Sequence, residues 1–169
     1  MRNPMTWLGV VLLVMLAGAG PGSAQDVENI LTNGGFETGA LAPWWLYDNT
    51  GGGATSEAVT DDVVEGEYAL HITIPSVGGN SWDIGLGAGV GTLERGKTYT
   101  LSAFLKCDEG TRQTTVNIEL GEDPWTKYGN PTITMTEEWT EYYVTSPVMS
   151  EDVTPANVTF HIGYSEGEM

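Results

Sequence analysis

Cysteine is almost absent from this 169-residue chain, in which Cys107 is the only one. A single cysteine cannot form an internal disulfide, so the fold must depend on a hydrophobic core. The thiol could react or pair with another chain, but a free cysteine more often behaves as a small buried hydrophobe. We therefore interpret Cys107 as a half-buried small residue late in a strand.

Basic residues are also scarce. Lysine and arginine total 6 against 23 aspartate and glutamate residues, and the formal net charge is −17. A chain this acidic repels nucleic-acid phosphates and anionic lipid headgroups, so we expect neither nucleic acid nor a membrane as partner. Acidity is compatible with calcium, although solvation of an extracellular surface explains most of the carboxylates.

Long apolar runs are absent after residue 17. The run from Trp7 to Ala17 follows the basic Arg2 and precedes the small residues Gly22-Ser23-Ala24. This order predicts a secretory signal peptide over residues 1–24. A membrane anchor is the alternative, but the run is shorter than the roughly 20 residues a spanning helix needs. We therefore expect a secreted, extracellular protein.

Recognisable catalytic motifs are missing. The sequence has no HExxH, GxSxG or P-loop, and its two histidines, His71 and His161, are too few for a histidine-rich metal site. Acidic residues are plentiful, but a glycosidase needs two of them placed across the scissile bond. Loops of Gly and Asn offer little to tune the pKa of a catalytic acid. We therefore expect a protein that is not an enzyme.

Short segments of alternating apolar and polar residues make up the rest of the chain. They are rich in Val, Ile, Thr, Tyr and Phe, and lie at 68–74, 98–105, 115–120, 139–145 and 157–162, with a weaker one at 54–64. Glycine-rich stretches at 51–53, 78–80 and 85–91 are interpreted as breaks between strands. The pattern predicts a single all-β domain, a jelly-roll sandwich of two antiparallel sheets.

Alternation also assigns side chains to faces. One set of positions in the 115–120 and 157–162 segments is apolar: Val116, Ile118, Leu120, Val158, Phe160 and Ile162. The opposite set is polar: Thr115, Asn117, Glu119, Asn157, Thr159 and His161. The apolar sets should meet in the core, which leaves the polar sets on an outer face. Such a face is either ordinary wet surface or a sugar site.

Aromatic residues are frequent, with six Trp and seven Tyr. Several lie beside Gly, Pro or Asn, most clearly in segments 43–47 and 123–129. The apolar C–H face of a sugar ring stacks on such rings while its hydroxyls bind nearby polar groups. Core packing is the competing interpretation for each aromatic. It is favoured for Trp139, and a cleft is favoured for Trp82 and Tyr128.

Five motifs occur in the order seen in carbohydrate-binding modules of families 4, 9 and 22. They are Asn33-Gly34-Gly35-Phe36-Glu37, Pro43-Trp44, Gly96-Lys97-Thr98-Tyr99-Thr100-Leu101, Glu138-Trp139-Thr140 and Phe160-His161-Ile162-Gly163. Over nearly all of residues 28–169 the chain thus resembles this superfamily. The resemblance implies a jelly-roll sandwich whose cleft binds a single β-glucan or xylan chain without catalysis.

The resemblance further implies which residues contact the sugar. The stacking aromatics correspond to Tyr47, Trp82 and Tyr128, and the hydrogen-bonding groups correspond to Asn117, Asp123, Asn157 and His161. Alternation independently places Asn117, Asn157 and His161 off the core. Trp82 shares the parity of neighbouring core positions, so a bulge or a strand end must release it to the cleft.

Family members often hold a structural calcium near the first strand, and Gly35 and Glu37 correspond to its contributors. A further ligand is usually an aspartate on a final strand, and this chain ends at Met169 before such a strand. We therefore expect the module, residues 25–169, to be incomplete at its C terminus, which leaves one sheet short of a strand.

The sequence thus predicts a monomeric, non-catalytic module that binds a polysaccharide and belongs to a secreted glycoside hydrolase. The alternative is a structural or adhesive cell-surface sandwich without a sugar site, because one fold supports many functions. The two hypotheses differ in whether the candidate aromatic and polar groups converge on one face.

Overall fold

A computed structural model describes residues 5–8 and 29–164 of the chain. Most of the predicted signal peptide, residues 1–24, and the C-terminal residues 165–169 lie outside the described residues. Within the described part there is no α-helix, and the helical structure is one 3₁₀ turn, Ser81–Asp83. No helix in this part has the length and apolarity to span a bilayer.

Eleven strands form two antiparallel sheets in the described residues. They are β1 Met5–Leu8, β2 Trp45–Asp48, β3 Thr55–Val59, β4 Ala69–Thr73, β5 Ile84–Leu93, β6 Thr100–Leu105, β7 Arg112–Leu120, β8 Lys127–Gly129, β9 Thr132–Met135, β10 Thr140–Thr145 and β11 Val153–His161. Sheet A has the order β10-β6-β1-β4-β3. Sheet B has the order β2-β5-β11-β7-β8, and β9 also pairs with β7. The predicted all-β sandwich of two antiparallel sheets is confirmed.

The hydrophobic core lies between the two sheets. Sheet B contributes the alternating residues Ile118 and Phe160, and sheet A contributes Leu70 and Leu105. Each fully buried side chain of this size contributes about 1.5–3 kcal/mol. Cys107 is fully buried in the core rather than half-buried, and it lies beyond the end of β6 rather than within a strand. Burial is the main cause that raises the pKa of its thiol. Because the core takes one side of sheet B, the alternate residues of its strands point to the opposite side.

The structure overturns the interpretation of residues 85–91 as a break. They belong to β5, which pairs with β2 on one side and β11 on the other. Ile84, Leu86 and Ala88 are buried in the core, while the intervening glycines face outward. Glycine is depleted in ordinary strands because it has no side chain to pack. Here its lack of a Cβ has a specific use, described below.

The core assignment of Trp139 was wrong. Strand β10 begins one residue later, so Trp139 lies in the preceding turn and is only half-buried. Its indole Nε1 donates a hydrogen bond to Asp62 Oδ1 at 3.1 Å. The Lys106 ammonium lies 5.8 Å from the centre of its ring and forms an ion pair with Asp62. Trp139 therefore anchors two surface loops.

Candidate functional site

The strand pairing arranges side chains in three rows across the outer face of sheet B, which we call the open face. Row one contains Tyr47, Gly85, His161 and Thr115. Row two contains Trp45, Gly87, Thr159 and Asn117. Row three contains Gly89, Asn157, Glu119 and Lys127. Residues two apart in a strand point to the same side, so all three rows face away from the core.

Two aromatic rings of β2 lie across the glycines of β5. A Cβ added to Gly85 would come within 2.7 Å of Tyr47 Cε1, and one added to Gly87 would come within 2.7 Å of Trp45 Cε2. A side chain at either glycine would therefore occupy the space of a ring. The glycines of β5 let these rings rest against the strand's backbone.

The middle of the open face is a buried polar network. Asn117 Nδ2 donates to Thr159 Oγ1 at 3.0 Å, and Thr159 Oγ1 donates to Glu119 Oε1 at 2.8 Å. Asn117 is only 1 % exposed. Its predicted position off the core is confirmed, but its buried amide is hydrogen-bonded to Thr159. A direct hydrogen bond from Asn117 to a sugar stays a prediction.

One basic residue in row three is paired with the buried carboxylate of that network. Lys127 Nζ forms an ion pair with Glu119 Oε2. Partial burial lowers the pKa of Lys127. Because a buried carboxyl group without a partner is costly, the contact with Lys127 stabilises the buried position of Glu119.

His161 is half-buried in row one and carries a neutral imidazole. Burial, followed by the nearby positive charge of Lys127, lowers its pKa to about 4. A neutral imidazole has one donor and one acceptor nitrogen, so it can bind a hydroxyl group in either direction. Asn157, half-buried in row three, lies close to Gly121 and offers a similar pair of groups.

Trp82 lies at the edge of the open face, in the 3₁₀ turn that precedes β5. Its side chain is 56 % exposed. The turn is held in place because Gly163 N donates to Ser81 O at 2.9 Å and Asn49 N donates to Asp83 O at 2.8 Å. The end of the strand thus releases Trp82 from the core, as its parity required. These backbone contacts tie the turn to the chain that follows β2 and β11.

Asp123 and Tyr128 lie on the opposite side of the open face from Tyr47. Asp123 is exposed in the loop between β7 and β8. Tyr128 is the extra residue at a register shift, since Glu119 pairs with Lys127 and Ile118 pairs with Gly129. Its ring is half-buried and packs against the core cluster. A sugar contact by either residue stays a prediction.

Glu37 binds backbone amides rather than other acidic groups. Its Oε2 accepts a hydrogen bond from Glu67 N at 2.9 Å, and its Oε1 accepts a longer one from Tyr68 N at 3.5 Å. Nowhere in the described residues do three acidic, histidine or cysteine side chains cluster as a metal site would require. Calcium is also bound by backbone carbonyl oxygens, so calcium binding at Gly35 and Glu37 stays a prediction.

Sequence reasoning missed Trp45, Lys127 and the supporting role of Glu119. Trp45 shares the parity of Tyr47, which was a usable signal once β2 was recognised as a strand. The pairing of Lys127 with Glu119 depends on the register of β8 on β7, and nothing in the local sequence reveals it.

The chain matches the family model described as "Carbohydrate binding domain" over residues 28–167. A cellulose 1,4-beta-cellobiosidase of Acetivibrio thermocellus is 30% identical over 95 residues, which are 56% of this chain and 10% of that protein. The chain thus spans about a tenth of the length of that curated relative.

Two solved structures have similar folds. One is described as CBM4, with 29% identity, a TM-score of 0.58, and coverage of 79% of this chain and 88% of that one. The other is the CBM22-1 xylan-binding domain of Xyn10C from Paenibacillus barcinonensis. It is 13% identical, with a TM-score of 0.55 and coverage of 75% and 79%. At that identity the second likeness concerns the fold alone.

Proposed function

Because the chain belongs to the carbohydrate-binding domain family, we propose that its open face binds a single polysaccharide chain of the β-glucan or xylan type. The match over residues 28–167 identifies a binding domain, so the expectation of a non-catalytic module is confirmed. The ligand class is our inference. It is consistent with a cellobiosidase relative and a xylan-binding domain of the same fold.

Row one is the observation that carries the proposal. It aligns the ring of Tyr47 with the neutral imidazole of His161 across Gly85, on the side of sheet B away from the core. A pyranose needs an apolar surface for its C–H face and polar groups for its hydroxyls, and row one provides both. This convergence favours sugar binding over the structural or adhesive alternative.

The remaining predicted residues extend this site. Asn157 would bind a hydroxyl over row three, and Trp82 would stack on a ring beyond the end of row one. Asp123 and Tyr128 would contact the chain at the far side, on β8 and the loop before it. Asn117 would act through Thr159.

We also propose that the chain is a module of a secreted glycoside hydrolase, in which it would act as a monomeric unit. The cellobiosidase relative, of which this chain spans a tenth, is consistent with such an arrangement. Binding would keep the catalytic part of the parent protein close to its polymer and so raise the effective concentration of substrate.

Affinity electrophoresis of the full chain tests the proposal. Gels would contain xylan, barley β-glucan, laminarin or hydroxyethylcellulose. We expect retardation by at least one of them, weaker retardation of the Trp82→Ala variant, and no change for Tyr143→Ala. Tyr143 is a fitting control because it is 61 % exposed on β10 of the other sheet. A folded chain that migrates normally in all four gels would contradict the proposal.

A further inference from the structure

Trp45 is the most exposed large side chain of strand β2, at 38 %. A Cβ placed on Gly87 would lie 2.7 Å from both Cε2 and Cζ2 of its indole and 2.8 Å from Nε1. Three ring atoms at nearly equal distance mean that the indole presents its face, not its edge, to the backbone of β5. The opposite face of the indole is therefore turned away from the sheet.

Tyr47 has the same relationship to Gly85. Its Cζ and Cε1 would lie 2.5 and 2.7 Å from a Cβ on that glycine. Trp45 and Tyr47 are two residues apart on one strand, so their attachment points are about 6.5–7 Å apart. The two rings thus lie side by side on neighbouring glycines, within one continuous area of the open face.

We propose that Trp45 and Tyr47 form a two-ring platform for consecutive sugar residues, and that Gly85 and Gly87 are positioning residues that keep both rings flat. This inference rests on the proposed function and identifies where in the site the stacking occurs. A flat platform suits pyranoses whose hydroxyls are all equatorial, because an axial hydroxyl would lift the sugar off the rings. The β-linked glucans and xylans have such residues.

The alternative role for Trp45 is to shield the backbone of β5 from water. The two roles predict a loss of sugar binding in different variants. Shielding requires only an apolar cover, whereas a platform requires an aromatic face at a fixed height above the strand. Gly87→Ala distinguishes the two roles. It keeps the indole as an apolar cover but moves it from its position above the strand.

Isothermal titration calorimetry with barley β-glucan and with soluble xylan would test the platform in the full chain. We expect Trp45→Ala to weaken binding about tenfold, as loss of one aromatic stack and its buried area implies. Gly87→Ala should weaken it by a similar factor although no ring is removed. Trp45→Phe should stay within about threefold of the wild type, since a smaller ring still stacks.

Gly89→Ala is the control for the stability of a glycine-to-alanine change in the same strand. A Cβ at Gly89 would meet only Asn157 Oδ1, at 3.9 Å, which is ordinary contact, so its melting temperature should stay close to that of the wild type. Tyr143→Ala, on β10 of the other sheet, is the control for affinity and should bind as the wild type does. Thermal denaturation of every variant shows whether an affinity loss reflects unfolding. If Trp45→Ala does not fold, Trp45→Leu replaces it, because leucine still covers the strand but has no aromatic face.

The outcomes separate this inference from the proposed function. If the wild type binds and both Trp45→Ala and Gly87→Ala bind equally well, the platform is wrong while the binding function stands. If the Trp45 variants lose only melting temperature, the indole is a cover and the platform is wrong. If the wild type binds none of the four polysaccharides, the proposed function fails and the platform fails with it.

Discussion

The hydroxyl of Thr159 donates a hydrogen bond of 2.8 Å to Glu119 Oε1 while it accepts one of 3.0 Å from Asn117 Nδ2. A threonine hydroxyl has one proton to donate, and here that proton is committed to a carboxylate. All three side chains are buried, although they lie on the polar face of their strands. Thr159 therefore links two buried polar groups, and Asn117 Nδ2 has a second, longer hydrogen bond of 3.4 Å to Thr159 O.

Thr159→Val removes this link without changing the shape of the side chain. The variant leaves a buried amide and a buried carboxylate oxygen each short of one partner. Leaving buried polar groups unsatisfied costs about 1–3 kcal/mol, so we expect the free energy of unfolding to fall by roughly that amount. Urea denaturation followed by fluorescence measures the change.

Thr134→Val in β9 controls for the substitution itself. Thr134 is exposed, and its hydroxyl is not part of the network. We expect a change below about 0.5 kcal/mol there. Equal stability losses in the two variants would show that the network of Thr159 has no special contribution.

Features of the fold that depend on residues close in the sequence could be predicted, and features that depend on tertiary contacts could not. The faces of β7 and β11 were predicted correctly, because alternation is a local property of the chain: Ile118 and Phe160 are in the core, and His161 is not. The burial of Thr159 was not predictable in the same way. It depends on what covers the strand from above, which only the tertiary structure determines.

The glycines of β5 also show that local sequence preference can be overridden by tertiary contacts. Their local preference indicated a break, and in the fold Tyr47 and Trp45 occupy the space their missing side chains leave. Similarly, Tyr128 stands at a register shift that no local pattern reveals. The family and the binding function were predictable from ordered motifs such as Asn33 to Glu37. The individual sugar contacts, secretion and calcium stay predictions.

Lys127→Met should destabilise the protein through Glu119. The lysine is partly exposed, but its partner is only 3 % exposed, so the variant leaves a buried carboxylate without its cation. Breaking a buried pair from one side costs about 3 kcal/mol or more. We expect a loss of about 3 kcal/mol in the free energy of unfolding at pH 7, measured by chemical denaturation.

A second substitution shows whether the uncompensated charge is the cause. Lys127→Met combined with Glu119→Gln removes the charge but keeps an oxygen that accepts from Thr159. This double variant should recover most of the lost stability. Lys97→Met, which breaks the exposed pair with Glu94, should cost less than about 1 kcal/mol. A double variant no more stable than Lys127→Met would contradict the charge explanation.

Glu37→Ala should loosen the turn at residues 66–68. Its carboxylate accepts hydrogen bonds from the amides of Glu67 and Tyr68, and Gly66 leaves room for it. Hydrogen bonds of this exposed kind contribute about 1 kcal/mol, so we expect a melting temperature several degrees lower. Glu65→Ala, an exposed neighbour, is the control and its melting temperature should change little.

Differential scanning fluorimetry in EDTA and in calcium chloride would also test calcium binding at Glu37. A bound ion would make the melting temperature of the wild type, and not that of the Glu37→Ala variant, sensitive to EDTA.

His161 should make binding insensitive to pH where an ordinary histidine would titrate. Its pKa is lowered to about 4 by burial and by Lys127, against 6.5 for a free imidazole. A depressed pKa means that the folded protein resists protonation, so this residue's contribution to stability is complete above pH 6.5 and is lost as pH falls towards 4. We expect affinity for β-glucan or xylan to be constant from pH 5.5 to 8. It should then fall near pH 4, where the imidazolium loses its acceptor nitrogen.

Calorimetric titrations at half-unit pH steps would measure this profile, with circular dichroism to verify that the chain is folded at each pH. The variant His161→Gln keeps a donor and an acceptor but cannot titrate. It should bind somewhat less tightly and should lack the decrease near pH 4. An affinity change in the wild type with a midpoint near pH 6.5 would show that the imidazole is solvated and free to protonate. That result would remove His161 from row one as a neutral partner of the sugar, because a group that charges at pH 6.5 cannot be desolvated beside Lys127.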